Sequence, residues 1–138
     1  MSDSLEAFDT GGFCGFTAFI IDIRDPHGID LDTLSDVKRQ IETCLAQKAE
    51  LVIFNLDTPG GRGDAMEGIC DLITKKLPDV YTVAYANPRA ISAGAIIALA
   101  CTEIVMAPGG RIGDSMPIFI AGGQLIPIPD RERGKYET

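Results

Sequence analysis

Short blocks of uninterrupted apolar residues, separated by stretches in which apolar residues recur every three or four places, are the first feature of this sequence. Phe13 to Ile23 (FCGFTAFIIDI) is nearly continuous and rich in aromatic and β-branched residues, which predicts a strand buried on both faces. A turn at Asp25-Pro26-His27-Gly28 leads to Asp32-Thr33-Leu34, after which Leu34, Val37, Ile41, Cys44 and Leu45 recur as in an amphipathic helix. Glu50 to Leu56 (ELVIFNL) reads as a second buried strand, stopped by Asp57-Thr58-Pro59-Gly60-Gly61. Gly63 to Lys76 repeats the helical spacing through Met66, Ile69, Cys70, Leu72 and Ile73, with Lys75 and Lys76 placed to complement the helix dipole. Val80 to Tyr85 is a third short strand, Asn87-Pro88-Arg89 a loop, and Ser92 to Cys101 a helix of small residues. Glu103 to Met106 is a fourth strand and Pro108-Gly109-Gly110 a turn. Beyond Gly113 the spacing loosens: Ile118 to Ile128 is expected to be extended, and a helix is expected to begin at Asp130 and be cut short by the chain end. Buried strands alternating with helices of this length predict parallel pairing through right-handed crossovers, hence a layered α/β domain.

Size and charge narrow the classes. A chain of 138 residues builds one core of ordinary size, and no repeat, low-complexity stretch or linker divides it. Residues 1–12 are expected to be a polar leader, and residues 13–138 a single domain truncated at its C-terminal end. The start MSDSLEAFDT is acidic where a secretory signal needs a basic residue and then an apolar run, so no signal peptide is expected. The longest apolar stretch, Ile91 to Pro108, is interrupted by Ser92, Gly94, Thr102 and Glu103 and is too short to span a bilayer easily. Localisation is left between the cytoplasm and a soluble domain excised from a membrane protein. A formal net charge of −8 repels phosphate backbones, which argues against nucleic acid as a partner. Cys14, Cys44, Cys70 and Cys101 lie in apolar segments without CxxC spacing and read as reduced core residues rather than a disulfide framework or a metal site.

Two loops carry candidate chemistry. Ser92 follows a loop and opens a helix of Ala and Gly, which would set its hydroxyl beside free backbone N–H groups. A serine in that place is also an ordinary N-cap. Gly60 and Gly61, just after a strand, let the main chain approach a ligand closely and aim N–H groups at a developing negative charge. A simple turn needing positive φ would use the same residues. Successive parallel strands would bring both loops to one carboxyl edge of the sheet, where sites in open α/β folds lie. The single histidine, His27, falls in a turn after the first strand and reads as a solvated loop residue, so a Ser-His-Asp triad is not expected. Arg62 and Arg89 are expected to pair with the many acidic groups at the surface.

Taken together, LDTPGG at Leu56 to Gly61, PRAISAG at Pro88 to Gly94 and VMAPGGRIGDSMPI at Val105 to Ile118 resemble, in order and spacing, the motifs of the NfeD type of ClpP-class serine peptidases, relatives of signal peptide peptidase A. The resemblance covers the chain from about Phe16 to Ile118 and implies a ClpP/crotonase-like layered fold with mostly parallel strands and crossover helices. It implies Ser92 as nucleophile, the N–H groups of Gly61 and Ala93 as an oxyanion hole, Gly60 as the residue shaping that loop, and a lysine base some forty positions beyond the serine. Lys135, the only lysine after Ser92, lies 43 positions on and takes that role. A lysine acts as a base only when burial or neighbouring cations depress its pKa; Arg131 and Arg133 would help and Glu132 and Glu137 would oppose them.

The same resemblance implies hydrolysis of apolar or membrane-derived peptides, or of membrane proteins, through an acyl-enzyme, with no metal or cofactor and in a homo-oligomer. Asp114 stands where the family often has a small residue, so it would alter substrate preference or cap the turn. Pro117 to Ile126 is expected to offer an edge to an extended peptide. Family members usually carry a signal sequence, membrane helices and a small C-terminal β-barrel domain, none of which is expected in this sequence. Two other functions compete: a catalytically inactive peptide-binding or scaffold module of the same fold, and an acyl-CoA enzyme of the crotonase branch. Against the second, the expected loops hold no acidic pair.

Overall fold

The computed structural model describes residues 5–6, 17–114, 118–121 and 124–127. The two-residue strand β1 (Leu5–Glu6) pairs antiparallel with β2 (Ala18–Ile23). Strands and helices then alternate through α1 (Leu31–Ala46), β3 (Leu51–Thr58), α2 (Gly63–Lys76), β4 (Tyr81–Ile91), α3 (Ala93–Leu99) and β5 (Glu103–Met106). β2, β3, β4 and β5 lie side by side in chain order and run parallel, as the alternation predicts. β6 (Arg111–Gly113) also pairs parallel with β4, beyond the end of β5, and β7 (Ile118–Ala121) and β8 (Gln124–Pro127) form an antiparallel hairpin.

Each right-handed crossover steps to the next strand in the same direction, so all three helices land on one face of the sheet. α1 touches α2 and α2 touches α3, as members of one layer must. The core lies between that layer and the sheet. Phe19, Ile21 and Ile23, then Val52, Phe54 and Leu56, then Ala84 and Ala86 meet Val37, Ile41, Ile69, Ile73 and Ile97 from the helices. The intervening residues Ile20, Ile53, Asn55, Val83 and Tyr85 are only half-buried, and Asp22 is exposed. The first two strands are therefore buried on one face, not on both as their apolar runs predicted. Among the described residues no helix covers the opposite face.

Three boundaries move for local reasons. α1 begins a turn earlier than its apolar repeat because Asp30 caps it: the Thr33 amide donates to Asp30 Oδ1 at 2.9 Å, and the Asp30 amide donates to Thr33 Oγ1 at 3.2 Å. β4 does not stop at Tyr85 but continues through the expected loop Asn87-Pro88-Arg89 to Ile91. Its pairing with β3 slips there, from Leu56 opposite Ala86 to Thr58 opposite Ala90. β4 thus inserts extra residues at Pro88, which has no N–H to give to a ladder, and the strand resumes beyond it. α3 is shorter than predicted, ending at Leu99 rather than Cys101.

Cys44 is buried and Cys70 and Cys101 are half-buried, all three as free thiols, in keeping with the reduced core reading. Burial pushes the Cys44 and Cys70 thiols up to about 11 and Cys101 up to about 12. Cys14 lies outside the described residues, as does the expected helix from Asp130.

Candidate active site

The carboxyl ends of β3 and β4 bring the two candidate loops into contact. Ser92, between β4 and α3, has φ 56° and ψ −116°, a backbone conformation that L-residues with a side chain adopt only when their surroundings hold them there. Three contacts hold it. Its amide donates to the Gly113 carbonyl at 2.7 Å, and its own carbonyl accepts from the Ala95 and Ile96 amides at 2.9 and 3.3 Å. Ser92 occupies the N-cap position of α3, yet its side chain makes no capping hydrogen bond. The hydroxyl is thus not engaged in the role that most often puts serine before a helix.

Gly60 touches that serine. A Cβ added at Gly60 would lie 2.8 Å from Ser92 Cβ and 3.2 Å from its Oγ, and the residue's φ of +120° independently favours glycine. The loop is held from below: the Gly60 amide donates to Thr58 Oγ1 at 3.1 Å, the Thr58 hydroxyl donates to the Gly60 carbonyl at 3.2 Å, and Thr58 is fully buried. It is held from the side by the segment after β2, since the Ile29 amide donates to the Gly60 carbonyl at 2.6 Å and the Arg62 amide donates to the Ile29 carbonyl at 2.8 Å. Gly61 pairs with Ile29 so closely that any side chain there would strike the Ile29 backbone. Among the described residues, neither the Gly61 nor the Ala93 amide meets a backbone acceptor. One of these amides follows Ser92 in the chain and the other follows Gly60, and backbone amides without an acceptor are the kind of group that can stabilise an oxyanion.

A groove of about 380 Å³ adjoins the serine, lined by Ile91, Met106, Gly110, Arg111, Ile112, Gly113 and Asp114. Its lining shares Gly113 with the hydrogen bond that holds Ser92. Met106 and Ile112 are both exposed, so apolar surface faces solvent beside the site. Asp114 belongs to this groove with φ 53°.

Of the residues singled out in the sequence, Ser92, Gly60, Gly61 and Ala93 are brought together, and Lys135 lies outside the described residues. His27 is exposed, its amide donating to Asp25 Oδ1 at 2.8 Å, as expected of a loop histidine. Arg62 pairs with Asp64 at 2.7 Å and Arg89 with Asp57 at 3.0 Å. Sequence reasoning missed the Ile29 segment and the Gly113 carbonyl, because contacts across 31 and 21 positions leave no local signal. Asp57 belongs to a segment the sequence singles out, but its pairing with Arg89 was not foreseen.

One mostly parallel sheet, a helix layer on one face and a strand-turn-helix serine at its carboxyl edge define a ClpP-like fold. ClpP1 from Listeria monocytogenes shares that fold, with a TM-score of 0.59 at 22% identity over 85% of this chain and 64% of that one. The chain belongs to the family described as NfeD1b, N-terminal domain, which matches residues 18–125. It is 39% identical over 102 residues to the membrane-bound protease PH1510 of Pyrococcus horikoshii, covering 72% of this chain. It is 34% identical over 97 residues to the membrane protein NfeD1b of Bacillus subtilis, covering 70%. Those matches span 23% and 21% of the two relatives' own lengths. Among solved structures, a lysine-to-alanine variant of 1510-N, a membrane-bound stomatin-specific protease in complex with a substrate peptide, superposes with a TM-score of 0.72 at 33% identity, covering 86% of this chain and 55% of that one. Among the described residues of the present chain, no helix is long and apolar enough to cross a membrane.

Proposed function

We propose that this domain is a serine endopeptidase that cleaves peptide bonds through an acyl-enzyme. The observation that carries the reading is the contact between Gly60 and a Ser92 held at positive φ whose hydroxyl caps nothing. In the proposed mechanism Lys135, in its neutral form, takes the Ser92 proton as Oγ attacks the scissile carbonyl. The Gly61 and Ala93 amides donate to the resulting oxyanion, with Gly60 fixing the loop at the distance Oγ requires. Collapse expels the amine, which takes the proton from Lys135, and a water then repeats the sequence on the ester. The name of the Pyrococcus relative as a protease, and its capture with a substrate peptide in a lysine-to-alanine form, support peptide chemistry and a lysine role. Ile91, Met106 and Ile112 give the groove apolar contacts beside the charged Arg111 and Asp114, which is compatible with apolar or membrane-derived peptides, and the relatives' membrane association points the same way. A homo-oligomer completes the proposal by family likeness.

Intact-mass analysis after a fluorophosphonate probe tests it. A single adduct is expected, abolished in Ser92→Ala and slowed on the order of 10²–10⁴-fold in Lys135→Ala, the usual contribution of a general base. A folded protein that takes no adduct would instead be a peptide-binding module of the same fold.

A further inference from the structure

The ion pair between Arg89 and Asp57 lies where the backbone ladder fails. Between Leu56–Ala86 and Thr58–Ala90 the register of β3 against β4 slips, so Asp57 on one strand and Asn87 to Arg89 on the other are not matched across that pair of strands, Arg89 pairing instead with Arg111 of β6 on its other side. Arg89 Nε donates to Asp57 Oδ1 at 3.0 Å across that gap. Asp57 Oδ2 also faces Arg24, just past the end of β2, at 3.8 Å. One carboxylate therefore ties together the ends of β2, β3 and β4, the three strands whose following segments carry Ile29, Gly60-Gly61 and Ser92.

On the helix side of the sheet the same strand ends are held differently, by close packing: a Cβ at Gly94 would lie 2.6 Å from Thr58 Cγ2. The other side of the sheet holds the charged tie. Most surface ion pairs contribute little, because both partners are solvated and mobile. This pair is more sheltered than its counterparts, with side-chain exposures of 33% and 25% against 57% and 58% for Arg62–Asp64 and 73% and 63% for Lys75–Asp71. It also joins residues 32 positions apart rather than neighbours on one helix.

We propose that Arg89 and Asp57 form a positioning pair that sets the spacing between the Gly60-Gly61 loop and Ser92, and so the geometry of the nucleophile against its oxyanion donors. The inference rests on the reading of Ser92 as nucleophile. Arg24, longer in contact and more exposed, plays the lesser part. Neither member of the pair touches substrate; each acts through the strand ends that carry the loops.

The test uses the full chain with Arg89→Gln, Asp57→Asn, the double variant, Arg89→Lys and Arg24→Gln. Fluorophosphonate labelling is resolved into probe affinity and the rate of the bond-forming step, with thermal midpoints alongside. A displacement near 1 Å costs on the order of 10²-fold in rate. Arg89→Gln and Asp57→Asn should therefore each slow bond formation by about 10- to 100-fold at unchanged probe affinity, the double variant should be no slower than the worse single one, Arg89→Lys should recover part of the rate, and Arg24→Gln should lose little. Wild-type labelling rates in Arg89→Gln, losses that multiply in the double variant, or a loss that merely follows the thermal midpoint across all five variants would overturn the pair. If the parent protein takes no label, the reading of Ser92 falls separately. The pair is then judged by amide hydrogen exchange in segments 58–62 and 90–94, which Arg89→Gln should accelerate and which, if unchanged, refutes it.

Discussion

Gly60 holds two constraints at once, a φ of +120° and a Cβ position already taken by Ser92. Either alone would favour glycine; together they mean that Gly60→Ala must push the serine or bend the loop. The expected outcome is a fall in fluorophosphonate labelling of about 10²-fold, the sensitivity of a reacting pair to a misplacement of this size. Labelling at the parent rate would mean that the loop does not set the serine's position. The thiols behave in the opposite sense. With Cys44 and Cys70 pushed up to about 11 and Cys101 up to about 12 by burial, almost none of these groups is thiolate at pH 7.5, and only the thiolate reacts. Peptide mapping after iodoacetamide should find these three cysteines unmodified in the native protein and modified once urea unfolds it. Ser92, Gly60 and Gly61 could be singled out in the sequence only as part of three linked motifs, because a glycine pair or a serine before a helix is ordinary by itself. That Arg89 would pair with a carboxylate was legible; that the carboxylate would be Asp57 was not, because a pairing across 32 positions looks like any other two charges on a surface.

The strands and helices from β2 to β5 were legible in order and kind, because apolar spacing reports which side of an element is buried, whereas β1 and β6, two and three residues long, were not. α2 runs from Gly63 to Lys76, the range its spacing predicts. What spacing does not report is how many faces of a strand are covered, since isoleucine and valine serve a half-buried face as well as a core. β3 alternates strictly between half-buried and buried positions although its sequence, LVIFNLDT, is mostly apolar. Two neighbouring substitutions separate these faces. Phe54→Ala empties a fully buried site under the helices and should cost about 3–5 kcal/mol in urea unfolding. Ile53→Ala, on the face without helices, should cost less than about 2 kcal/mol, below the range for buried isoleucine. Equal losses would mean that the second face is covered as thoroughly as the first. Pro88 misled in the other direction, since proline ordinarily ends a strand. Here β4 carries it through a register slip, with β6 paired alongside Arg89 to Ile91.

Across the molecule, 20 acidic residues face 12 basic ones, and the net charge of −8 opposes compaction at neutral pH. Acidification toward the isoelectric point near 4.5 removes that repulsion, while the paired carboxylates pull the other way only at lower pH. Hydrogen bonds from Thr33 hold the Asp30 carboxyl below its ordinary value of 3.8, and the hydrogen bond from Arg62 does the same for Asp64. A carboxyl with a depressed folded pKa leaves the unfolded chain binding more protons in this range, so its stabilisation is present above about 3.8 and is lost as pH falls through the folded value. The two effects therefore act in separate windows. The urea midpoint should hold or rise from pH 7 to about 5 and fall below about 4, and Asp30→Ala should flatten that acid limb. Salt discriminates further, because at about 0.5 M the Debye length drops below the usual separation of surface charges. Added sodium chloride should then raise the midpoint at pH 7 and do little at pH 5. A midpoint that declines steadily from pH 7 to 5, with salt lowering it throughout, would show that ion pairs such as Arg89–Asp57 outweigh the repulsion, and that the excess of carboxylates stabilises this fold instead of straining it.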